Sequence, residues 1–111
     1  MSLPDFILAL PSVAIPFPAD VVTTNVLKSD RGLAVFFSFH KATDLPPHAH
    51  KGQWGTVLSG HIDLTIAGQT RRIAPGQQYS IPAGAVHSAQ IAAGTVVLDV
   101  FEEPERYPLK P

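Results

Sequence analysis

Eleven prolines in 111 residues constrain the fold of this chain more than any other feature of its sequence. A proline inside an α-helix removes a backbone hydrogen bond and clashes with the preceding turn. The prolines are spread along the whole chain, at positions 4, 11, 16, 18, 46, 47, 75, 82, 104, 108 and 111. They leave few windows for a long helix, and eight glycines add further turn positions. The sequence therefore predicts an all-β domain with many turns.

Short stretches with strand character lie between the turn residues. Residues 21–27 are rich in β-branched side chains, and residues 61–67 alternate between polar and apolar side chains, as a half-buried strand does. Further strands are predicted at residues 33–39, 53–59, 70–73, 79–81, 86–92 and 95–102. Roughly nine or ten short strands at this spacing predict an antiparallel sandwich or barrel.

The two ends of the chain depart from this pattern. Residues 3–10 predict one short helix with Ser2 as its cap, and residues 13–15 predict an edge strand between prolines. The segment 44–47 contains two prolines and is expected to end a strand. Residues 102–105 are acidic and are expected to begin a surface arm. The predicted organisation is an N-terminal arm at 1–20, a barrel at 21–103 and a C-terminal tail at 104–111.

Composition excludes several classes of function. The formal net charge is -1, so the chain has no electrostatic footprint for nucleic acid. It has no cysteine, which removes disulfides, thiolate metal sites and cysteine nucleophiles and fits a cytoplasmic protein. The first cation is Lys28, so no positive segment of a signal peptide is present, and no apolar run is long enough to span a membrane.

The pair His48 and His50 is the most informative polar feature of the sequence. Side chains two residues apart in a strand face the same side, so two imidazoles at this spacing can chelate a metal. A lone His-x-His pair is more often two surface histidines. The residues around this pair favour the metal-binding interpretation over two surface histidines.

Two spaced motifs surround the histidines. Residues 48 to 60 read His48-x-His50-x(2)-Gln53-x(6)-Gly60, and residues 76 to 91 read Gly76-x(5)-Pro82-x-Gly84-x(2)-His87-x(3)-Ile91. This pair resembles the cupin superfamily, whose motifs are G-x(5)-H-x-H-x(3,4)-E-x(6)-G and G-x(5)-P-x-G-x(2)-H-x(3)-N. The resemblance covers about residues 20 to 102. It implies an antiparallel double-stranded β-helix, also called a jelly roll or cupin barrel.

The resemblance also implies a metal site in the mouth of that barrel. Its ligands would be His48, His50, Gln53 at the usual Glu position, and His87. The metal would be one divalent transition ion, from among Fe, Mn, Ni, Cu and Zn. Gln53 would supply a neutral amide oxygen, or would only hydrogen-bond a water or a ligand histidine. A kink near Gly52 is needed for Gln53 to face inward, and Trp54 would then face outward.

The predicted cavity-lining residues are Val57, Tyr79, Ala89 and Ile91. Ala89 and Ile91 share strand parity with His87 and should therefore face the cavity. An apolar wall at Ile91 would favour a substrate with an apolar part, although plain core packing is the default explanation for Ile91 and for Tyr79. The facing of Asp99 is undecided from the sequence, and an inward Asp99 would offer a base.

Three functions remain open at this stage. The first is a metal-dependent enzyme on a small organic molecule, of dioxygenase, isomerase or lyase type. The second is a non-catalytic module that binds or senses a small ligand, and the third is a structural barrel with a vestigial site. No catalytic residue is assigned, and the substrate is unknown. The apolar, proline-broken N-terminus predicts a homodimer. No nucleic-acid or membrane partner is expected from the charge and the apolar runs described above.

Overall fold

The computed structural model describes all 111 residues and contains one short helix and nine strands. The helix α1 spans Asp5–Leu8. The strands are β1 (Val22–Lys28), β2 (Leu33–Phe39), β3 (Thr43–His48), β4 (Gln53–Ser59), β5 (Ile62–Ile66), β6 (Gln69–Ile73), β7 (Gln78–Ile81), β8 (His87–Ile91) and β9 (Thr95–Phe101). The prediction of an all-β chain divided by proline and glycine turns is confirmed.

The strands form two antiparallel sheets that face each other. The larger sheet has the order β1-β2-β9-β4-β7, and the smaller sheet has the order β3-β8-β5-β6. Neighbours such as β2 and β9 lie far apart in the sequence, as in the predicted jelly roll. The first and last thirds of the chain therefore meet in one sheet.

Apolar side chains from both sheets fill the space between them. Along β2, Leu33, Val35, Phe37 and Phe39 are buried and the residues between them are partly exposed. This period of two places one face of the strand against the opposite sheet. Burial of this alternating set provides the main stabilisation of the barrel.

The strand β3 differs from the expectation that residues 44–47 would end a strand. It continues through Pro46 and Pro47 to His48. The strand lies at the edge of the smaller sheet, and its pairing with β8 is irregular between Leu45 and His48. Prolines are tolerated there because an edge strand at a bulge does not need every backbone N–H for pairing.

The N-terminal arm and the C-terminal tail hold each other. Val13 and Leu109 form an isolated antiparallel bridge, Ala14 N–H donates to the Pro108 carbonyl at 2.8 Å, and Lys110 N–H donates to the Ser12 carbonyl at 2.9 Å. The residues expected to form an edge strand at 13–15 therefore form only an isolated bridge with the tail, and Val13 N–H donates to Thr24 Oγ1 on β1. The tail is not a free surface arm, because these bonds fix it against the arm.

The single helix is shorter than the expected helix at residues 3–10. It begins after Pro4, and no side chain caps its first turn, so Ser2 does not act as the cap. Pro4 fits this position because the first backbone N–H groups of a helix have no partner within it. The chain contains no helix with the length and apolar character needed to cross a membrane.

Gly55 allows two buried polar side chains to pack across β4. A Cβ atom at this position would overlap the carboxyl group of Asp99 and the phenol of Tyr79. Both side chains are buried and hydrogen-bonded to each other, so neither can move aside without losing its partner.

We predict that Gly55→Ala destabilises the protein by about 1–3 kcal/mol, the usual cost of forcing extra volume into a packed core. Urea unfolding of the variant and the wild type measures this loss. Gly68→Ala is a control for backbone strain without a steric clash, since no atom lies near its added Cβ but its φ of +80° is unfavourable for alanine. Equal stability of Gly55→Ala and wild type would contradict the packing described here.

Candidate metal centre

The pairing of β3 with β8 brings the first two histidines together. His48 ends β3 and is the direct cross-strand partner of His87, which begins β8. Their ring centroids are 4.2 Å apart. Gly84, with a φ of +80°, turns the chain immediately before β8. A glycine suits this left-handed conformation, and the turn directs His87 at the opposite strand.

His50 reaches the same place from a loop. Strand β3 ends at His48, so alternation along a strand does not explain why His50 faces inward. The loop is fixed instead by its own bonds: Gly84 N–H donates to the His50 carbonyl at 2.8 Å. The His50 ring lies 5.3 Å from that of His48 and 4.8 Å from that of His87.

Two acidic residues at the end of β9 fasten the other side of this loop. The Gly52 N–H donates to Glu102 Oε1 at 2.5 Å, and the Lys51 N–H donates to Glu103 Oε1 at 3.0 Å. In addition, Glu102 N–H donates to the Gly52 carbonyl at 3.0 Å. The acidic pair that the sequence placed in a surface arm thus holds the segment next to His50.

Each of the three histidines is oriented by a backbone carbonyl. The Nδ1 atom lies 2.8 Å from the Pro46 carbonyl in His48, 2.7 Å from that of Lys51 in His50, and 2.9 Å from that of Ala85 in His87. A carbonyl only accepts, so each Nδ1 carries the proton and donates. In the neutral imidazole this leaves a lone pair on Nε2, which is the form that binds a metal.

The three rings offer ligand atoms that converge. One nitrogen from each of His48, His50 and His87 lies within 4.8 Å of the others. The Nε2 atoms of His50 and His87 are buried and have no hydrogen-bond partner. A buried unpaired acceptor costs free energy unless something satisfies it. The three histidines therefore fit a divalent transition metal, and imidazole suits several such ions.

Burial keeps two of these rings in the form that binds a metal. It lowers the pKa of His50 and of His87, against the opposing effect of their backbone hydrogen bonds. The positive charge of Arg106 lowers both pKa values further. Neutral imidazoles are favoured as a result.

The structure places Gln53 as the first residue of β4, with its side chain lining the same cavity. Trp54 faces outward and is 40% exposed. The polar side chain of Gln53 also acts to lower the pKa of the Asp99 carboxyl.

The side chain of Asp99, whose direction the sequence left undecided, points into the barrel. The hydroxyl of Tyr79 donates to Asp99 Oδ1 at 2.5 Å. Burial raises the pKa of Asp99 to about 6, although the hydrogen bond from Tyr79 and the polar side chain of Gln53 act in the opposite direction. Burial also raises the pKa of Tyr79, and the adjacent carboxyl adds to that effect.

A cavity of about 430 Å³ opens beside the histidines, and most of its walls are hydrophobic. Tyr79, Ala89 and Ile91 line it. Val57 does not line it, since it is fully buried within the hydrophobic core. Its position in the strand predicts an inward side chain but does not distinguish the packed core from the cavity wall. Arg106 also lines the cavity and was not predicted from the sequence.

Comparison with known proteins agrees with this architecture. The cupin domain family matches residues 35–102, which is more than half of the chain. The chain belongs to the cupin family. The match includes all three histidines of the site. No curated protein matches this cupin.

Solved structures with the same fold cover most of this cupin. An RmlC-like cupin from Shewanella frigidimarina aligns with a TM-score of 0.75 and 22% identity, covering 89% of this chain and 87% of that one. KdgF from Halomonas sp. aligns with a TM-score of 0.69 and 21% identity, covering 82% of this chain and 86% of that one. A variant of oxalate decarboxylase from Bacillus subtilis aligns with a TM-score of 0.69 and 18% identity, covering 88% of this chain and 28% of that one. At these identities the likeness shows a shared fold.

The raised pKa of Asp99 predicts a pH-dependent cost of folding. The folded protein favours the protonated carboxyl, so the contribution of Asp99 to stability is fully present below about pH 3.8 and is lost as pH rises through about 6. Asn at this position stays neutral. In metal-free protein, we predict that Asp99→Asn gains about 2 kcal/mol relative to wild type between pH 4.5 and pH 7.5.

Urea unfolding at the two pH values measures that difference. Asp44→Asn is the matched control, because Asp44 lies exposed on β3. A stability difference between Asp99→Asn and wild type that does not change with pH would show that Asp99 is not held as described.

Proposed function

We propose that this cupin binds one divalent transition metal through His48, His50 and His87 and acts on a small organic molecule in the adjoining cavity. The observation that carries the proposal is the convergence of three histidine nitrogens, with each ring held through Nδ1 on a backbone carbonyl. Three protein nitrogens leave coordination positions for other ligands. The ion would act as a Lewis acid on a substrate oxygen.

The cavity supports an enzyme of dioxygenase, isomerase or lyase type. Its walls are mostly hydrophobic, and its few polar lining groups include Gln53, Asp99 and the three histidines. The Asp99–Tyr79 pair can hold a proton between Asp99 Oδ1 and the Tyr79 hydroxyl, at a site that faces the same space. An oxalate decarboxylase among the structural neighbours shows that this fold carries enzymes.

A non-catalytic small-ligand module is the second candidate. The largely hydrophobic lining of the cavity favours it, because apolar walls bind a ligand without providing chemistry. Stoichiometric binding of a cellular metabolite without turnover by the metal-loaded protein would select this function over the enzyme.

We further propose that the amide oxygen of Gln53 completes the metal site. Gln53 lines the cavity together with the three histidines. Gln53 lowers the pKa of Asp99, as an amide N–H₂ group directed at a carboxylate would, since a carboxylate only accepts. The oxygen of the same amide is then free to act as a neutral ligand.

The homodimer expected from the sequence stays a prediction. Such a pairing would cover large apolar side chains that are exposed on the single chain. They belong to the N-terminal arm and to the outer face of the larger sheet: Phe6, Leu8, Leu27, Trp54 and Val100.

His87→Ala tests the metal site directly. We expect about one equivalent of transition metal in wild-type protein purified without chelator, and loss of most of it in the variant, because the buried ligand is removed. Mass spectrometry of metal content provides the measurement. His40→Ala is the control, since His40 is exposed and hydrogen-bonds Thr23 outside the cavity. Wild-type protein that holds no metal after reloading would overturn the proposal.

Gln53→Glu tests the fourth ligand. An added negative charge should tighten metal binding about ten-fold or more, and Gln53→Ala should weaken it. Calorimetric titration with Zn²⁺ measures both affinities. The substitutions are repeated with Asp99→Asn, because a second carboxyl beside Asp99 would otherwise introduce repulsion. Equal affinity in all three proteins would remove Gln53 from the ligand set.

A further inference from the structure

The C-terminal tail places one cation in the mouth of the cavity. Arg106 lines the cavity together with the three histidines. Its guanidinium carbon lies 4.4 Å from the centroid of the Tyr107 ring and 5.8 Å from that of Phe101. Contact with two aromatic rings fixes the plane of the guanidinium and shields it from water.

This guanidinium makes no hydrogen bond and no ion pair within the chain. Its Nε atom is buried and makes no hydrogen bond. The three ion pairs of the molecule join Lys28 to Glu105, Lys41 to Asp20 and Arg72 to Asp63, and none involves Arg106. A buried donor without an acceptor is costly, so the Nε–H group is available to an acceptor from outside the chain.

The nearby acidic side chains are occupied elsewhere. Glu102 and Glu103 accept the backbone N–H groups of Gly52 and Lys51, and Glu105 pairs with Lys28. Asp99 shares the cavity but accepts the Tyr79 hydroxyl. None of the acidic residues near Arg106 in the sequence therefore forms an ion pair with it.

We propose that the cavity binds a small carboxylic acid whose carboxylate pairs with Arg106 and whose apolar part lies against the hydrophobic walls. A planar guanidinium fork matches the two oxygens of a carboxylate. Apolar side chains on the opposite wall, such as Leu64 and Ile91, accommodate the rest of the molecule. This inference deepens the proposed function and rests on it for the reaction, but carboxylate binding itself requires only the tail and the cavity.

The tail holds Arg106 in place before any ligand binds. Arg106 N–H donates to the Glu103 carbonyl at 3.2 Å, and the residues beyond are fixed by the Val13–Leu109 bridge. A fixed side chain loses less conformational entropy on binding. The tail therefore supplies a preorganised anion site at the rim of the barrel.

The test uses metal-free protein, so that pairing with Arg106 is measured apart from coordination. Metal is removed with a chelator, which is then dialysed away because it is itself a carboxylate. Benzoate, phenylacetate and hexanoate are titrated calorimetrically, each beside its neutral amide. We expect at least one carboxylate to bind about ten- to one-hundred-fold more tightly than its amide, from a charge-assisted hydrogen bond.

Two variants and a control assign the binding to Arg106. Arg106→Met removes the charge and should abolish the preference for carboxylate over amide, while Arg106→Lys should retain part of it. Arg31→Met is the control, because Arg31 is an exposed arginine outside the cavity. In an NMR titration of the wild type with the same carboxylate, the ¹⁵N–H signal of Arg106 Nε should shift until it saturates. The affinity from this shift should equal the calorimetric affinity, and the readout does not depend on the folding of any variant.

Binding of none of the three carboxylates, equal binding of acids and amides, or an Nε signal that does not move would each overturn this inference. These outcomes are distinct from failure of the metal site. If His87→Ala retains metal while benzoate still requires Arg106, the metal assignment fails and the carboxylate site stands. The reverse result would leave a metal centre whose ligand is not a carboxylate.

Discussion

Three hydrogen bonds from histidine Nδ1 atoms to backbone carbonyls determine the chemistry of this cupin's site. They place each proton on Nδ1 and leave Nε2 as an acceptor. Because the accepting carbonyls belong to the main chain beside each histidine, the ring orientation is set by the fold of β3, the following loop and the turn before β8. The ligand set is preorganised, and burial of His50 and His87 maintains its neutral form.

The C-terminal segment connects this site to the cavity mouth. Its first residues, Glu102 and Glu103, hold the loop that follows His50, and its next turn presents Arg106 beside the same histidines. The tail thus stabilises the proposed metal site on one side and forms the proposed carboxylate site on the other. Beyond Arg106, the tail pairs with the N-terminal arm through Val13 and Leu109.

Much of the barrel and the histidine cluster could be predicted because they depend on local signals. Turn glycines and alternating strands indicated an all-β fold, and the resemblance of the two motifs to the cupin superfamily implied that His48 and His87 converge. The extension of β3 through two prolines was missed because edge position is a property of the sheet. Arg106 was missed for a similar reason: only long-range contacts fold an acidic, proline-rich tail onto the cavity, and an arginine within it gives no local sign of where it docks.

The central claim is that three imidazoles bind one metal through Nε2. Anomalous diffraction from crystals of metal-loaded protein, collected above and below the absorption edge of that metal, tests it most directly. The account predicts one dominant peak, about 2.0–2.3 Å from the Nε2 atoms of His48, His50 and His87. A peak bound through Nδ1 atoms, or one located away from these three histidines, would contradict it.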